Sequence, residues 1–464
     1  MAMKTNGLIL ALALFFTSGE AIATGYGDTQ PRAMGIAGAY GAMARGVESI
    51  YWNPANLALN DGPRLSLPLD LGAFFILENN SVSISDYNKY NGNFISDGDK
   101  DDIIGDIPSG GLKFNTDVGF FIPVISSGVA FPLPWGLNSA IALNVRGGVE
   151  GEVPRDMIDF LLKGNQFARD REKEGKAPGY DIAEWDGQGW ALGEFSWAIA
   201  KPIMPAALSS YLSEFAVGAT FKLMGGGFGE VLRSDGGIQT RVSGADVSAH
   251  AVTRFGFGLG FGLDLGVTGI TKDGKTTVGL ALMNLLDTMN WNIDSQQDSV
   301  FVQGSRLRAT SFTGKAGLSE IFDNPVDENG DPVFHEEVEA SGFSLTIPAM
   351  LRLGATHKPI PKLTVSGQYD QAFSSGFGVS STPRLALGLE YRLVDWFPLS
   401  FGLSGGGRAG SSSAIGFSFG PFPVGRWRLT VMETGLVNRG GLLPGVAQGA
   451  GWSINLLRVS MNRI

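Results

Sequence analysis

Residues 402–410 read Gly402-Leu403-Ser404-Gly405-Gly406-Gly407-Arg408-Ala409-Gly410, and two catalytic signatures overlap in that run. GxSxG over 402–406 is the pattern of a nucleophile elbow, where a sharp turn from strand into helix exposes a serine hydroxyl for acyl transfer. GxGxxG over 405–410 is the pattern of a dinucleotide-binding turn, which needs a following helix to aim its N-terminus at a pyrophosphate. Neither context follows. The chain continues into another alternating segment from Ala414, so Ser404 reads as part of a loop between strands and 405–410 as a loop tip.

The other chemistry-bearing residues are sparse. Asp97, Asp99 and Asp101 alternate as in a calcium loop, but Asp102 stands where that loop needs glycine and Pro108 where it needs glutamate, which excludes an EF-hand. A solvated outer loop, or loose bridging of these acids by a divalent ion, is left; the acidic stretch Asp323 to Asp331 reads the same way. His250, His335 and His357 are far apart, and HEEVEA from His335 lacks the second histidine of a zinc helix. With no cysteine, thiolate ligands, cysteine nucleophiles and disulfides are all excluded. No catalytic residue, metal site or cofactor is assigned.

The elements that carry these residues announce themselves by period. Arg254 to Val267 reads RFGFGLGFGLDLGV, with Phe255, Phe257, Leu259, Phe261, Leu263, Leu265 and Val267 on one parity and glycines, including Gly258 and Gly260, with Asp264 on the other. As a helix this segment would hold five glycines at about 1 kcal/mol each relative to alanine, and its apolar residues would ring the axis. A strand is the better reading. Leu65-Leu67-Leu69-Leu71, Ile141-Leu143-Val145, Phe215-Val217-Ala219-Phe221, Leu385 to Leu393 and Phe397 to Leu403 share the alternation. The chain has 67 glycines, about twice the usual share, with no collagen period.

Compartment and partners follow from composition. Lys4, the apolar run Gly7 to Phe16 and Ala21-Ile22-Ala23 form the three regions of a secretory signal peptide, with cleavage expected before Thr24. Net charge of -10 argues against nucleic acid as a partner, since a phosphate backbone calls for a basic face. Beyond the signal no apolar run nears 18 residues, so a membrane-embedded chain of this kind must be a barrel, the sheet form that pairs every backbone group and leaves no edge. The apolar parity then faces lipid and the glycine-rich parity, with Gly258, Gly260 and Asp264, faces the lumen. A large exported soluble β protein is the alternative, but no repeat of 20 to 50 residues supports a solenoid.

Strands are expected near 64–78, 112–124, 138–151, 188–203, 214–228, 249–268, 276–292, 344–358, 362–374, 383–394, 397–408, 412–420, 426–437 and 449–461, about fourteen. Short and long connections alternate, and the long ones, 79–111, 152–187, 229–248 and 293–343, fall on the outer side if both termini are periplasmic. The expected division is a signal peptide over 1–23, a compact Gly/Ala-rich plug over 24–62 and an all-β, antiparallel transmembrane barrel over 63–464. On the 152–187 loop, Asp156 to Arg171 reads as a short amphipathic helix. Its Met157, Phe160 and Leu161 either offer a greasy groove or pack the loop onto the barrel rim.

Within the expected plug, Asn53 suits a helix N-cap, Pro54 the first helical position, and Trp52 a hydrophobic staple on Leu57. Arg32 to Ala58, with Met34-Gly35, Gly38-Ala39, Glu48-Ser49 and Tyr51-Trp52-Asn53-Pro54-Ala55, resembles the N-terminal hatch of the FadL-like outer-membrane superfamily, PorV-type proteins included. ALMNLLDTMNW from Ala281, the stretch from Thr346 to Asp370, and RLALGLEYRL from Arg384 look like later strands of the same group. The resemblance implies a fourteen-stranded barrel with its leader folded into the lumen, and Gly35, Gly38, Glu48, Trp52, Asn53, Pro54 and Ala55 in the gate. It also implies passive passage of hydrophobic or amphipathic small molecules, with outer-membrane lipid around the barrel and no chemistry performed. The alternative it leaves is a non-transporting barrel that scaffolds a secretion or envelope complex.

Overall fold

Alternation of period two sets the architecture, because each strand then has one apolar and one small or polar face, and such strands pair most completely by closing on themselves. The computed structural model describes residues 29–67, 69, 71–121, 128–163, 173, 175, 179–241, 244–286, 288–307, 333, 335–338 and 342–461. Its single sheet is an antiparallel barrel of fourteen strands, several of them interrupted. They are β1 (Leu65–Leu67 and Leu71–Asn79), β2 (Leu112–Phe121 and Val129–Pro132), β3 (Asn138–Val153), β4 (Gly179–Asp181 and Asp186–Pro202) and β5 (Leu212–Arg241). Next come β6 (Gly244–Thr271), β7 (Thr276–Met283 and Asn290–Leu307), β8 (His335–Val338, Phe343–Ser344 and Met350–Ile360), β9 (Leu363–Ala372) and β10 (Arg384–Val394). The last are β11 (Phe397–Gly406), β12 (Ser411–Phe419 and Phe422–Val424), β13 (Trp427–Arg439) and β14 (Gly449–Met461).

Each strand pairs with its sequence neighbours. Closure is made by β1 on β14, with Leu65 opposite Met461 and Leu71 opposite Leu456. The interrupted strands are single strands by register. Both parts of β7 lie along β6, Leu282 opposite Leu265 and Asn290 opposite Leu259, with residues between them displaced inward.

The parity reading holds along the wall. On β6, Phe255, Phe257, Leu259 and Phe261 are exposed while Gly256, Gly258, Gly260 and Gly262 are buried. Phe261 and Leu387 are 67% and 65% exposed, values that in water would mark a defect and against acyl chains are ordinary. Among the described residues no helix is long and apolar enough to cross a membrane.

Several connections differ from the sequence expectation. The stretch 229–248, expected as a loop, is strand: β5 runs to Arg241 and β6 starts at Gly244, so the two form a tall hairpin. Likewise β7 continues to Leu307 through the expected loop 293–343, of which 308–332 lie outside the described residues, as does Asp323 to Asp331. These extensions carry polar residues on both faces, and a strand without a continuous apolar face looks like a loop in sequence. Ser404 lies within β11 and not in a loop. The acidic residues from Asp97 form a helix, Asp97–Asp106, started by a Ser96–Asp99 capping box. The expected signal peptide lies outside the described residues.

Leu389 sits midway along β10 on the outward parity. Leu389→Arg is expected to destabilise the barrel by about 2–4 kcal/mol in reversible unfolding from lipid, the cost of a cation at bilayer mid-depth. A loss no larger than that of Leu389→Ala would mean this band does not face hydrocarbon.

Candidate functional site

Residues 29–62 form no strand. They touch inward-facing positions nearly all the way round the wall, which places them inside the barrel. The approach depends on glycine. A Cβ added to Gly218 of β5 would lie 2.6 Å from Ala55 N, one on Gly354 of β8 2.8 Å from Ala42 N, and one on Gly435 of β13 2.8 Å from Gly35 N. Gly402 of β11 would meet the backbone of Ile36 and Ala37. Strand backbone and segment backbone are thus nearly in contact, which only a missing side chain permits. Gly35 obeys the same rule in reverse, its own Cβ position lying 2.6 Å from Ser400 Oγ and 2.9 Å from Gly416 Cα.

Backbone groups inside a lumen need partners, and the wall supplies them. Gln368 Oε1 accepts from Gly41 N at 3.1 Å, Ser453 Oγ donates to Thr29 O at 2.6 Å, and an Arg352 guanidinium nitrogen donates to Tyr51 O at 3.1 Å. Asn53 does two things at once. Its Oδ1 accepts from Ala55 N at 3.1 Å, capping the 3-10 turn Pro54–Ala58, while Nδ2 donates to Val267 O of β6 at 2.9 Å. Trp52 is fully buried, edge-on to Tyr40 at 5.8 Å, with the Arg352 guanidinium 4.4 Å from its ring centre.

At the short-turn end the segment is held by buried ion pairs that sequence reading missed, apart from Glu48. Glu48 accepts from Tyr40 Oη at 2.5 Å and from Arg458 of β14 at 2.6 Å; Arg458 also pairs with Glu433 at 3.0 Å. Arg32 forks onto Glu390 of β10 at 2.8 and 2.9 Å. Burial, with the Glu48 carboxylate alongside, pushes the Tyr40 hydroxyl well above its usual range, so it remains a donor.

Beyond the segment, towards the tall hairpin, the lumen changes character in steps. Four residues past Gly218 on the same face of β5 is Lys222, whose Nζ lies 2.8 Å from Asp264 and 2.9 Å from Asn284 Oδ1. Asp264 also accepts from Asn284 N at 2.7 Å, so the inward-pointing aspartate is neutralised and hydrogen-bonded. Beyond that layer comes a buried apolar cluster of Trp190, Leu192, Met224, Phe228, Met289, Trp291, Ile347 and Phe377, with Phe343 and Leu345 packed on it. Gly258 and Gly260, on the parity expected to face the lumen, are covered there by Trp291 and Met289 from the inward step in β7. The charge in Phe221-Lys222-Leu223 was a legible signal of an inward partner for Asp264. Nothing in sequence marked Trp190, Phe228 and Phe377 as neighbours.

The third side of this space, over the segment's upper surface, is polar. A cavity of about 80 Å³ lies between Met34, Ala37 and Gly38 below and Arg384, Arg408, Arg439 and Ser404 beside it. Arg384 is tied to Asp370 at 2.6 Å, and Arg408 to Glu78.

The remaining candidates sit elsewhere. Met157 and Phe160 lie on the helix Arg155–Lys163 and pack onto Tyr180, Ile182 and Ile238 beside the tall hairpin, Phe160 edge-on to Tyr180 at 5.1 Å, while Leu161 is exposed. His250 lies beside Asp235 at 3.2 Å and His357 beside Thr276 at 2.9 Å, on different strands.

A family model described as "Family of unknown function (DUF5723)" matches residues 54–427. The chain belongs to that family. Among curated proteins none matches this DUF5723 chain in sequence. Among the solved structures that resemble it are two Pseudomonas proteins. One is a Pseudomonas aeruginosa FadL homologue, at 12% identity and TM-score 0.51 over 96% of this chain and 100% of that one. The other is the Pseudomonas putida toluene transporter TodX, at 12% identity and TM-score 0.50 over 95% of this chain and 99% of that one. The DUF5723 chain therefore has the FadL-type barrel fold.

Gly218→Leu is expected to force residues 29–62 away from β5, at a cost of about 1–3 kcal/mol or more for the overpacked contact. Limited proteolysis should then cut within 29–62, whereas Gly405→Ala, with nothing within 4 Å of its Cβ position, should leave the digest unchanged. Equal protection in both variants would mean the segment does not depend on this close approach.

Proposed function

We propose that this chain is an outer-membrane channel for passive uptake of hydrophobic or amphipathic small molecules, with residues 29–62 as its plug and gate. Both termini are periplasmic in this reading, the tall β5–β6 hairpin and the 152–187 segment are outside, and residues 1–23 are removed on export. No reaction is catalysed and no cofactor is needed.

The observation that carries the reading is the buried cluster of tryptophans, phenylalanines and methionines within the barrel. A water-filled pore is lined by polar side chains. Here the lumen beyond the Lys222–Asp264 layer is filled by Trp190, Phe228, Met289 and Trp291, the side-chain chemistry of a site for greasy molecules. The fold shared with a toluene transporter is consistent with that assignment. Gly35, Gly38, Glu48, Trp52, Asn53, Pro54 and Ala55 serve the gate by close approach, capping and ion pairing.

The test uses purified protein in liposomes. A hydrophobic dye such as N-phenyl-1-naphthylamine should enter faster than into empty liposomes, and deletion of residues 33–58 should change that rate. Equal rates in both comparisons would reject transport, and recovery of a stoichiometric envelope partner in native pull-down would then favour a scaffold.

A further inference from the structure

The aromatic cluster is complete only because a loop reaches into it. Between β9 and β10 the chain makes a tight turn in which Gly376 N donates to Val379 O at 3.0 Å and Val379 N to Gly376 O at 2.9 Å. Phe377 and Gly378 are its two corner residues, both left-handed, with φ of 47° and 80°. Glycine is at home there. A phenylalanine is not, and left-handed geometry in a bulky residue persists only where its surroundings over-determine it.

What holds Phe377 is its ring. It lies parallel to Trp291 at 5.9 Å and 12°, edge-on to Trp190 at 5.7 Å and 66°, and tilted to Phe228 at 5.4 Å and 52°. Trp291 is stacked in turn on Phe343 at 6.2 Å. The wall of this cage, Trp190 from β4, Phe228 from β5 and Trp291 from β7, belongs to the barrel. Phe377 alone among these rings arrives on a loop, whose Phe373, Ser374 and Ser375 are exposed. One residue past the ring, Gly378 and Val379 line the cavity that ends on Met34, Ala37 and Gly38 of the plug. Withdrawal of the ring would therefore move a turn that also walls the cavity over the plug.

We propose that the cage of Trp190, Phe228 and Trp291 is a binding site for a flat apolar ring of benzyl size, that Phe377 is its resident occupant, and that cargo enters by exchanging with Phe377. The inference rests on the transport reading for the word cargo, but the site and the exchange stand on the cage alone. The strained turn biases the loop towards release, and the stacked rings hold it until a ring of like chemistry replaces Phe377. Binding then carries the cost of displacing the resident side chain.

Bromobenzene is the probe, since its heavy atom quenches tryptophan on contact, and the cysteine-free chain accepts a single label through Ser374→Cys. In nanodiscs, bromobenzene is expected to quench tryptophan fluorescence saturably and to shift the label's emission with the same half-saturation. Phe377→Ala should tighten binding roughly tenfold by removing the competing occupant and abolish the label's response. Phe377→Leu, which keeps most of the volume but not the stacking, should tighten it less; it stands in for the alanine variant should that fail to fold. Saturable quenching with an unmoved label, or affinity unchanged in both variants, would overturn the proposal. Dye uptake into liposomes separates the two readings: uptake with an immobile loop removes the stopper and leaves transport, whereas exchange without uptake removes transport and leaves the site.

Discussion

A polypeptide in hydrocarbon has no water to satisfy its amides, and this structure follows from that constraint. Closing β1 on β14 pairs both edges of the sheet, and fourteen strands then enclose a lumen wide enough to need filling. Period two does the rest. Every strand must give one parity to lipid and the other to the interior, so leucine and phenylalanine on one face entail glycine, serine and paired charges on the other.

The interior is filled from two sources. Residues 29–59 bring the largest buried cluster, with Tyr40, Ile50, Trp52 and Leu57 at its centre, against alanines and glycines of the wall. Because strand glycines let backbone meet backbone, the contact is broad and short-ranged, and side chains such as Gln368, Arg352 and Asn53 satisfy amides that no sheet can reach. Ion pairs at the short-turn end, Arg32 with Glu390 and Glu48 with Arg458, fix the segment's orientation more than its burial. Above it the wall fills its own lumen with aromatic side chains. The change from charge at Lys222–Asp264 to the rings around Trp291 occurs within a few residues of one strand face.

The strands that read as loops in sequence did so for one reason. A strand is recognisable when one face is strongly apolar, and the upper parts of β5, β6 and β7 have only small or scattered apolar residues, such as Ile238, Ala245, Val247 and Ala249, on the face that packs on Tyr180 and Phe160. Arg233, Asp235, Gln239 and Asp246 alternate with a mixture of serine, glycine, threonine and only a few apolar residues, and hydrogen bonds to neighbouring strands, invisible in sequence, make them sheet. Acidic residues 97–106 also read as loop by their charge, whereas Ser96 and Asp99 form the capping box that starts a helix.

By itself the sequence determined the closed sheet, the strand positions within the apolar band, the side of each strand that meets lipid, and the cap at Asn53, because these depend on spacing between near neighbours. Only the tertiary structure decided which glycines receive the N-terminal segment and which receive Trp291, which carboxylate neutralises Lys222, and which loop brings Phe377 into the cage. Those choices join residues tens to hundreds of positions apart, and their partners are set by barrel register and strand height, quantities that exist only once the sheet has closed.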